Sequence, residues 1–228
     1  MRIIAVFPHP DDELGCVGTL KKHAERGDEV KFLWTTKGEL ASQFGNQENE
    51  KVQAERIRHG KYVAETIGAS FEFLNMRDSY MTGSRDEALQ IAKVYAAFKP
   101  DAVITWSDDH PHPDHRMTAK VAFDAVTLAR IPKVLNEDGN TLEAHRKPIR
   151  FYQYYSEAIN RPVISVDISK QLDTVKELFN FYQSFYGWRY GEEDFMARRR
   201  VRAFFSETVY VEKFQIKTNY APTVDYLP

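Results

Sequence analysis

The sequence predicts an α/β fold: a Rossmann-like, doubly wound, mostly parallel sheet with helices on both faces and a smaller C-terminal α+β portion. Short apolar runs alternate with longer segments of helical periodicity through the first 130 residues. Such alternation is typical of parallel strands joined by helices that cover both faces of the sheet. After Leu128 the pattern loosens, which limits the predicted core to about residues 1–130.

Four strands and four helices make up this predicted core. Each strand is a short apolar run, and in the first helix Leu14, Val17 and Leu20 recur at helical spacing. Glycine or proline stops the first three helices. The predicted strands are 3–7, 29–36, 70–75 and 101–106; the predicted helices are 13–26, 48–67, 85–98 and 116–130, with stops at Gly27, Gly68 and Pro100.

The remaining chain is interpreted as a flap, further strands and C-terminal helices. "IRFYQYY" and "PVISVDI" predict strands, and "SKQLDTVKELFNFYQSFYGW" predicts a helix that Ser169 caps. We therefore predict one domain over 1–228. Within it, 1–130 forms the α/β core that carries the candidate site, and 131–228 supplies the flap, additional strands and helices.

Composition bears on partners and location. Lys and Arg number 31 against 33 Asp and Glu, a formal charge of −2, so we expect no obligatory nucleic-acid or anionic-membrane partner. The basic run from Arg198 to Arg202 is interpreted as a solvated helix face, with an anion or interface contact as the alternative. We find neither a signal peptide nor a run of about 18 apolar residues, so no membrane span is predicted. The single cysteine, Cys16, fits a reducing compartment, and we expect a cytoplasmic protein that is compatible with homo-oligomerisation.

Two clusters of histidine and aspartate follow two of the predicted strands. "PHPDDE" follows the first strand and "DDHPHPDH" follows the fourth. In a doubly wound sheet of order 3-2-1-4, strands one and four are neighbours, and ligands bind beyond their carboxyl ends. The clusters should therefore face each other across one crevice. Catalytic zinc usually takes three His, Cys or carboxylate ligands and leaves one position for water.

The spacing of the second cluster also resembles the metallo-β-lactamase signature, through His110, His112, Asp114 and His115. That class of enzyme needs further histidine ligands downstream, where only His145 remains. It also begins with antiparallel strands, and it leaves "PHPDDE" unexplained. We therefore reject it and interpret His110 as a residue at the rim of the site.

Together, "PHPDDE" and "HPDH" resemble the zinc-dependent N-deacetylase family of the PIG-L/LmbE type. This family includes N-acetylglucosaminyl-phosphatidylinositol deacetylases and the deacetylases of mycothiol and bacillithiol synthesis. The resemblance covers at least residues 2–130. By position it implies one zinc ion on His9, Asp12 and His115, Asp11 as general base, a cationic His112 that stabilises the oxyanion, and Asp114 as the residue that orients His112.

Weaker matches concern the substrate. Arg56 occupies the substrate-binding arginine position of an "R-x-x-E" helix, but His59 replaces the glutamate. "RDSYMTG" resembles a mycothiol-type loop, which implies that Asp78 contacts sugar hydroxyls and Met81 lines the acetyl pocket. The alternatives are an exposed Arg56 and an Asp78 that merely caps a turn. A separate stripe of aromatic residues could stack on a sugar or belong to the core, namely Phe181, Tyr182, Phe185, Tyr186 and Trp188.

The resemblance implies a zinc-dependent hydrolase that removes an N-acetyl group from an N-acetylglucosamine-type sugar or conjugate, a small-molecule substrate. Another divalent metal is compatible with the same ligands. Asp11 or His112 could protonate the departing amine. The alternatives are an amidase of a larger sugar or thiol conjugate and a non-catalytic metal- or sugar-binding module. The sequence lacks the Gly-x-Gly-x-x-Gly motif of nucleotide cofactors and the Gly-x-Ser-x-Gly elbow of serine hydrolases.

Overall fold

The computed structural model describes residues 1–217, and its strands join into one mixed sheet. The strands are β1 (Arg2–Phe7), β2 (Glu29–Thr36), β3 (Ser70–Met76), β4 (Ala102–Thr105), β5 (Arg150–Tyr154), β6 (Val163–Asp167) and β7 (Val211–Ile216). The helices are α1 (Val17–Glu25), α2 (Asn49–Ile67), α3 (Arg85–Phe98), α4 (Pro113–Leu128), α5 (Pro132–Leu135), α6 (Leu172–Tyr186) and α7 (Glu192–Arg202). Short 3₁₀ turns cover Asp12–Gly15 and Ser42–Phe44.

Strand β1 lies inside the sheet, with β2 on one side and β4 on the other. Both pairings are parallel, and Ile4 is opposite Lys31 of β2 and Val103 of β4. The full order is β3-β2-β1-β4-β5-β7-β6, so the predicted 3-2-1-4 arrangement is confirmed. Strand β5 continues the parallel part, whereas β7 and β6 add to it in antiparallel fashion. The C-terminal strands thus extend the same sheet.

Helices cover both faces of the sheet, as the alternation predicted. Side chains of successive β1 residues point to opposite faces. Ile3 and Phe7 pack in a cluster with residues of α1, α2 and α6, whereas Ile4 and Val6 pack in a second cluster with residues of α3 and α4. The doubly wound α/β class is therefore confirmed.

Two helix starts and one strand differ from the sequence prediction in this part of the fold. The helix assigned to a Ser169 cap begins at Leu172, because the Ser169 hydroxyl instead donates to Asp167 Oδ1 at 2.6 Å. The fourth helix begins earlier than predicted, at Pro113, whose fixed φ and missing N–H suit the first helical position. Strand β7 was not predicted; its six residues pair with two strands that are distant in sequence.

No helix in the described part of the chain has the length and apolar composition needed to cross a membrane.

Candidate active site

The turn after β1 and the loop between β4 and α4 meet at the carboxyl ends of these neighbouring strands. His9 and Asp12 come from the first segment, and His115 lies in the first turn of α4. His115 Nε2 lies 3.2 Å from Asp12 Oδ1. The expected juxtaposition of the two clusters is therefore present.

His9, Asp12 and His115 each offer one ligand atom within 4.8 Å of the others. The Asp12 carboxylate lies between the two imidazoles, with Oδ2 at 3.4 Å from His9 Nδ1 and Oδ1 at 3.2 Å from His115 Nε2. Ligand atoms about 2.0–2.1 Å from one tetrahedral ion are about 3.3 Å apart, so this spacing fits a zinc-like ion. The neighbouring histidines lower the pKa of Asp12 to about 2, against its burial, so this carboxylate is ionised at neutral pH.

The second ring nitrogen of His9 faces two further carboxylates. His9 Nε2 lies 3.2 Å from Asp78 Oδ1 and 3.4 Å from Asp114 Oδ2. These three residues also form a group that could hold a metal ion. However, metal-binding histidines commonly donate their other N–H to a carboxylate, and this arrangement leaves Nδ1 free to bind beside Asp12. We therefore interpret Asp78 and Asp114 as the groups that orient His9.

Asp11 stands outside this donor group although it is adjacent to Asp12. Its backbone has φ 116° and ψ −27°, a left-handed conformation that is strained for a residue with a side chain. Its carboxylate Oδ2 lies 3.5 Å from Arg56 Nη1. Burial raises the pKa of Asp11 to about 6, with Arg56 opposing that rise. The predicted first helix is divided into a 3₁₀ turn and α1 at Cys16, whose backbone (φ −137°, ψ 6°) is not helical.

Glu13, which the sequence analysis did not single out, holds this turn. It is fully buried, and its Oε2 accepts the Asp11 backbone N–H at 2.9 Å and Trp34 Nε1–H at 3.2 Å. Its Oε1 accepts the Tyr182 hydroxyl at 2.6 Å. Burial raises the pKa of Glu13 to about 7. The sequence did contain a signal for Glu13, because it is the third acidic residue in a row and begins a predicted helix with apolar residues at helical spacing.

Arg56 is buried, with 2% of its surface exposed, so the alternative of an exposed helix face is wrong. Its Nη1 donates to the Tyr186 hydroxyl and faces Asp11. Burial would lower the pKa of Arg56, but Asp11 and the tyrosines raise it above its ordinary value. Arg56 also lines a cavity of about 370 Å³ that includes Asp11, His112 and the three candidate ligands. Its predicted contact with substrate therefore has a suitable location.

Asp78 and Met81 lie in different surroundings. Asp78 lines the same cavity but is 4% exposed, and its oxygens accept from His9, the Ser79 hydroxyl and the Leu40 backbone N–H. A contact of Asp78 with sugar hydroxyls stays a prediction. Met81 packs in the core, where its sulfur contacts the hydroxyls of two buried threonines, and the assignment to an acetyl pocket is not supported by that position.

His112 and Asp114 contact each other differently from the prediction. The Asp114 backbone N–H donates to His112 Nδ1 at 3.2 Å, whereas the Asp114 carboxylate accepts the Ser79 backbone N–H at 2.7 Å and faces His9. A ring nitrogen that accepts a hydrogen bond carries no proton, so neutral His112 has its proton on Nε2. The Asp114 carboxylate therefore does not hold the His112 ring as expected, and His112 Nδ1 instead caps α4.

The two remaining histidines of the region are structural neighbours of the site. The His110 ring stacks on His115 and lies at a tilt of 45° to Trp106, each with centroids 4.2 Å away, which agrees with its interpretation as a rim residue. His59 is fully buried and contacts the Tyr186 hydroxyl and Glu55. Burial lowers the pKa of His59 to about 4.

A second cavity of about 560 Å³ shares Asp11, Asp12 and His115 with the first. Of the predicted aromatic stripe, Trp188 lines this larger cavity, whereas Tyr182 and Tyr186 belong to the core. The core interpretation of the stripe therefore holds for these two tyrosines, and Trp188 stays available to a ligand.

Comparisons with known proteins agree with the site. A family model described as PIG-L: GlcNAc-PI de-N-acetylase matches residues 4–126, more than half of the chain. Diacetylchitobiose deacetylase of Thermococcus kodakarensis is 28% identical over 142 residues, which cover 60% of this chain and 53% of that relative. The chain thus spans about half the length of this curated relative.

Two solved structures extend the likeness to nearly the whole chain. N,N'-diacetylchitobiose deacetylase from Pyrococcus horikoshii, in complex with an inhibitor, aligns with a TM-score of 0.81 at 25% identity, over 95% of this chain and 83% of that one. GalB, the 4-carboxy-2-hydroxymuconate hydratase from Pseudomonas putida KT2440, aligns with a TM-score of 0.75 at 20% identity, over 100% and 99%. The second likeness shows the fold alone.

Proposed function

The chain belongs to the GlcNAc-PI de-N-acetylase (PIG-L) family, and from that premise we propose that it is a metal-dependent amide hydrolase. Its reaction would remove the acetyl group from an N-acetylglucosamine-type sugar. Related deacetylases act on diacetylchitobiose, on an N-acetylglucosaminyl inositol and on N-acetylglucosaminyl malate, as their names state. An amide on an amino sugar is the chemistry that these relatives share.

One observation carries the proposal: a spare carboxylate stands beside three side chains that could together hold a metal ion. His9, Asp12 and His115 satisfy the usual requirement for three protein ligands. Asp11 faces the same crevice but is directed toward Arg56. A site that only bound a metal ion or a sugar would not need this additional group, which disfavours a non-catalytic module.

We assign the metal as zinc because two imidazoles and one carboxylate are a common catalytic zinc set. When bound there, the ion would lower the pKa of water toward neutrality and polarise the amide carbonyl. Asp11 takes the proton from the attacking water as general base. Such catalysis typically contributes about 10²–10⁴ in rate. Arg56 holds the Asp11 carboxylate in place for this transfer.

His112 stabilises the carbonyl oxygen as negative charge develops on it. Its Nδ1 accepts a backbone hydrogen bond, so its Nε2–H is the group available to donate toward the cavity. Loss of one such donor typically reduces kcat by about 10²–10³. A neutral imidazole that gave up this proton would become an anion. We therefore assign protonation of the departing amine to Asp11, which received a proton in the preceding step.

Substrate contacts follow from the cavity near Arg56. Arg56 lines this cavity, where its Nη1 contacts Asp11 and the Tyr186 hydroxyl. We propose that Arg56 supports binding of the sugar. Asp78 supports the site indirectly, through His9.

An assay of released amine tests the function. Metal-loaded protein would be incubated with N-acetylhexosamines, chito-oligosaccharides, thiol-sugar conjugates and matched substrates with larger acyl groups. We expect deacetylation of at least one N-acetylglucosamine derivative, faster than cleavage of the larger amides. Preference for the larger amides would favour the amidase alternative. If the protein holds stoichiometric metal and cleaves none of the substrates, the enzyme assignment is contradicted. A cytoplasmic location and a homo-oligomeric state stay predictions.

A further inference from the structure

The candidate metal ligands lie between two cavities rather than at the end of one. The smaller cavity includes Arg56, and the larger one extends toward α7. Asp11, Asp12 and His115 line both. A substrate whose N-acetyl sugar occupies the smaller cavity would therefore have space for a substituent on the other side of the reacting amide.

Six aromatic residues line the larger cavity, together with charged side chains of both signs. Its volume of about 560 Å³ lies within the usual range for sites that enclose a small organic ligand. Rings that line a cavity favour flat or ring-containing ligands, which can stack on their faces. The aromatic lining residues are Trp106, Tyr154, Tyr155, Trp188, Tyr190 and Phe195.

Arginines of α7 also line this cavity. Arg198 and Arg202 are four residues apart, so they share one face of the helix. Arg199 is directed inward, where it donates to the Leu14 carbonyl and faces Glu212 at 3.6 Å. Arg198 and Arg202 form no ion pair with a carboxylate in residues 1–217. Arg200 is exposed on the same helix, as Arg198 and Arg202 are, but it does not line the cavity.

Arg198 and Arg202 are close enough to affect each other. Partial burial and the neighbouring Arg198 lower the pKa of Arg202, whereas Tyr154, Glu157 and Tyr155 oppose this shift. Arg198 also lies over the Tyr190 ring, with its guanidinium carbon 5.3 Å from the centroid. Two like charges beside an aromatic wall are stabilised by an anion that bridges them, and guanidinium groups bind carboxylate and phosphate oxygens with paired hydrogen bonds.

We propose that the larger cavity binds a ring-containing substituent of the substrate that carries an oxyanion, held by Arg198 and Arg202. The proposal rests on the proposed function, because it places the substituent relative to the amide that is cleaved. It narrows the substrate class to anionic N-acetylglucosamine conjugates. Carboxylate and phosphate groups share the required chemistry.

Matched substrates test this inference. Metal-loaded protein would be assayed with para-carboxyphenyl N-acetylglucosaminide and its neutral para-carbamoylphenyl analogue, which has almost the same size. We expect kcat/KM to be at least about 10-fold higher for the anionic substrate, mainly through a lower KM, because a charge contact made in the ground state strengthens binding. A para-phosphonophenyl analogue shows which oxyanion the cavity prefers.

Variants assign the preference to the two arginines. In the Arg198→Gln/Arg202→Gln double variant, the ratio of kcat/KM values for the two substrates should fall to about 1. Arg200→Gln removes one charge from the same helix and should keep the wild-type ratio. Equal use of both substrates by the wild type, or an equal fall of the ratio in Arg200→Gln, would overturn the inference and leave the deacetylase function standing.

A binding experiment separates this inference from the proposed function. Calorimetric titration of metal-loaded Asp11→Asn with both glycosides measures affinity without turnover. Tighter binding of the anionic glycoside, lost when Arg198 and Arg202 are also replaced, would support the cavity assignment even if no amide were cleaved. Equal affinity for the two glycosides would overturn it.

Discussion

Gly38 provides a test of whether the position of Arg56 matters for catalysis. Gly38 has φ +64°, and a Cβ atom added there would lie 2.6 Å from Arg56 Nη2 and 2.7 Å from Nε. Ordinary contacts of this kind exceed 3.4 Å. In Gly38→Ala the guanidinium must therefore withdraw by about 0.8 Å. It is held there by the Tyr186 hydroxyl and by Asp11, so withdrawal disturbs both contacts.

The expected magnitudes can be separated with a control. A left-handed conformation costs alanine roughly 1–2 kcal/mol. Gly68→Ala has φ +85° with no heavy atom within 4 Å of the added Cβ, so it carries this backbone cost alone. The free energy of unfolding of Gly38→Ala should fall by about 1.5–3 kcal/mol more than that of Gly68→Ala, which is the usual value for a hydrogen bond to a charged group. Because a displacement near 1 Å can cost about 10² in rate, we expect kcat/KM to fall about 10- to 100-fold.

Urea unfolding and steady-state kinetics on both variants provide the measurement. Gly68→Ala should be destabilised with kinetics close to wild type, and Gly38→Ala should lose both stability and activity. If Gly38→Ala keeps a kcat/KM within about threefold of Gly68→Ala, the buried Arg56 is not a positioning group for the reaction and that part of the mechanism is wrong.

Two further predictions concern buried polar groups. The pKa of His59 is lowered to about 4, against an ordinary 6.5. Between these pH values the unfolded chain binds a proton that the folded chain does not, so the free energy of unfolding falls as the pH falls. In His59→Gln, the fall in the free energy of unfolding between pH 6.5 and 4 should be smaller than in the wild type by up to about 3 kcal/mol. Urea unfolding of both proteins across this pH range measures this fall. If the free energy of unfolding depends on pH in the same way in both proteins, the burial argument is wrong. Asp114→Asn should weaken metal affinity about 10- to 100-fold, because its carboxylate orients His9 and holds the Ser79 N–H. Competition with a chelator measures this affinity, and wild-type affinity in the variant would remove Asp114 from the metal site.

The layout of the site was predictable because it follows from strand order. Periodicity identifies the strands and helices of the first 130 residues, and a doubly wound sheet brings the carboxyl ends of β1 and β4 together. The two motifs then had to meet, and His9, Asp12 and His115 do lie together. The local sequence also indicated the fourth helix correctly apart from its first turn.

Other features depend on contacts between distant segments, which local patterns do not encode. The carboxylate of Asp114 contacts Ser79 and His9 instead of His112, because the loop after β3 approaches α4. The same packing buries Met81 in the core. The strained backbone of Asp11 is held by Glu13, whose own partners come from β2 and α6. Strand β7 is similarly specified by its two partner strands rather than by its own sequence.

We propose that His9, Asp12 and His115 hold the metal while Asp11, the adjacent carboxylate, acts as the base. The most direct test measures bound zinc and deacetylation rate together in Asp11→Asn and Asp12→Asn. We predict that Asp11→Asn keeps one zinc per chain and loses at least about 10² in kcat, in line with general base catalysis, whereas Asp12→Asn loses zinc and activity together. If Asp11→Asn loses zinc as severely as Asp12→Asn, or keeps both zinc and wild-type turnover, the assignment of the two aspartates is wrong.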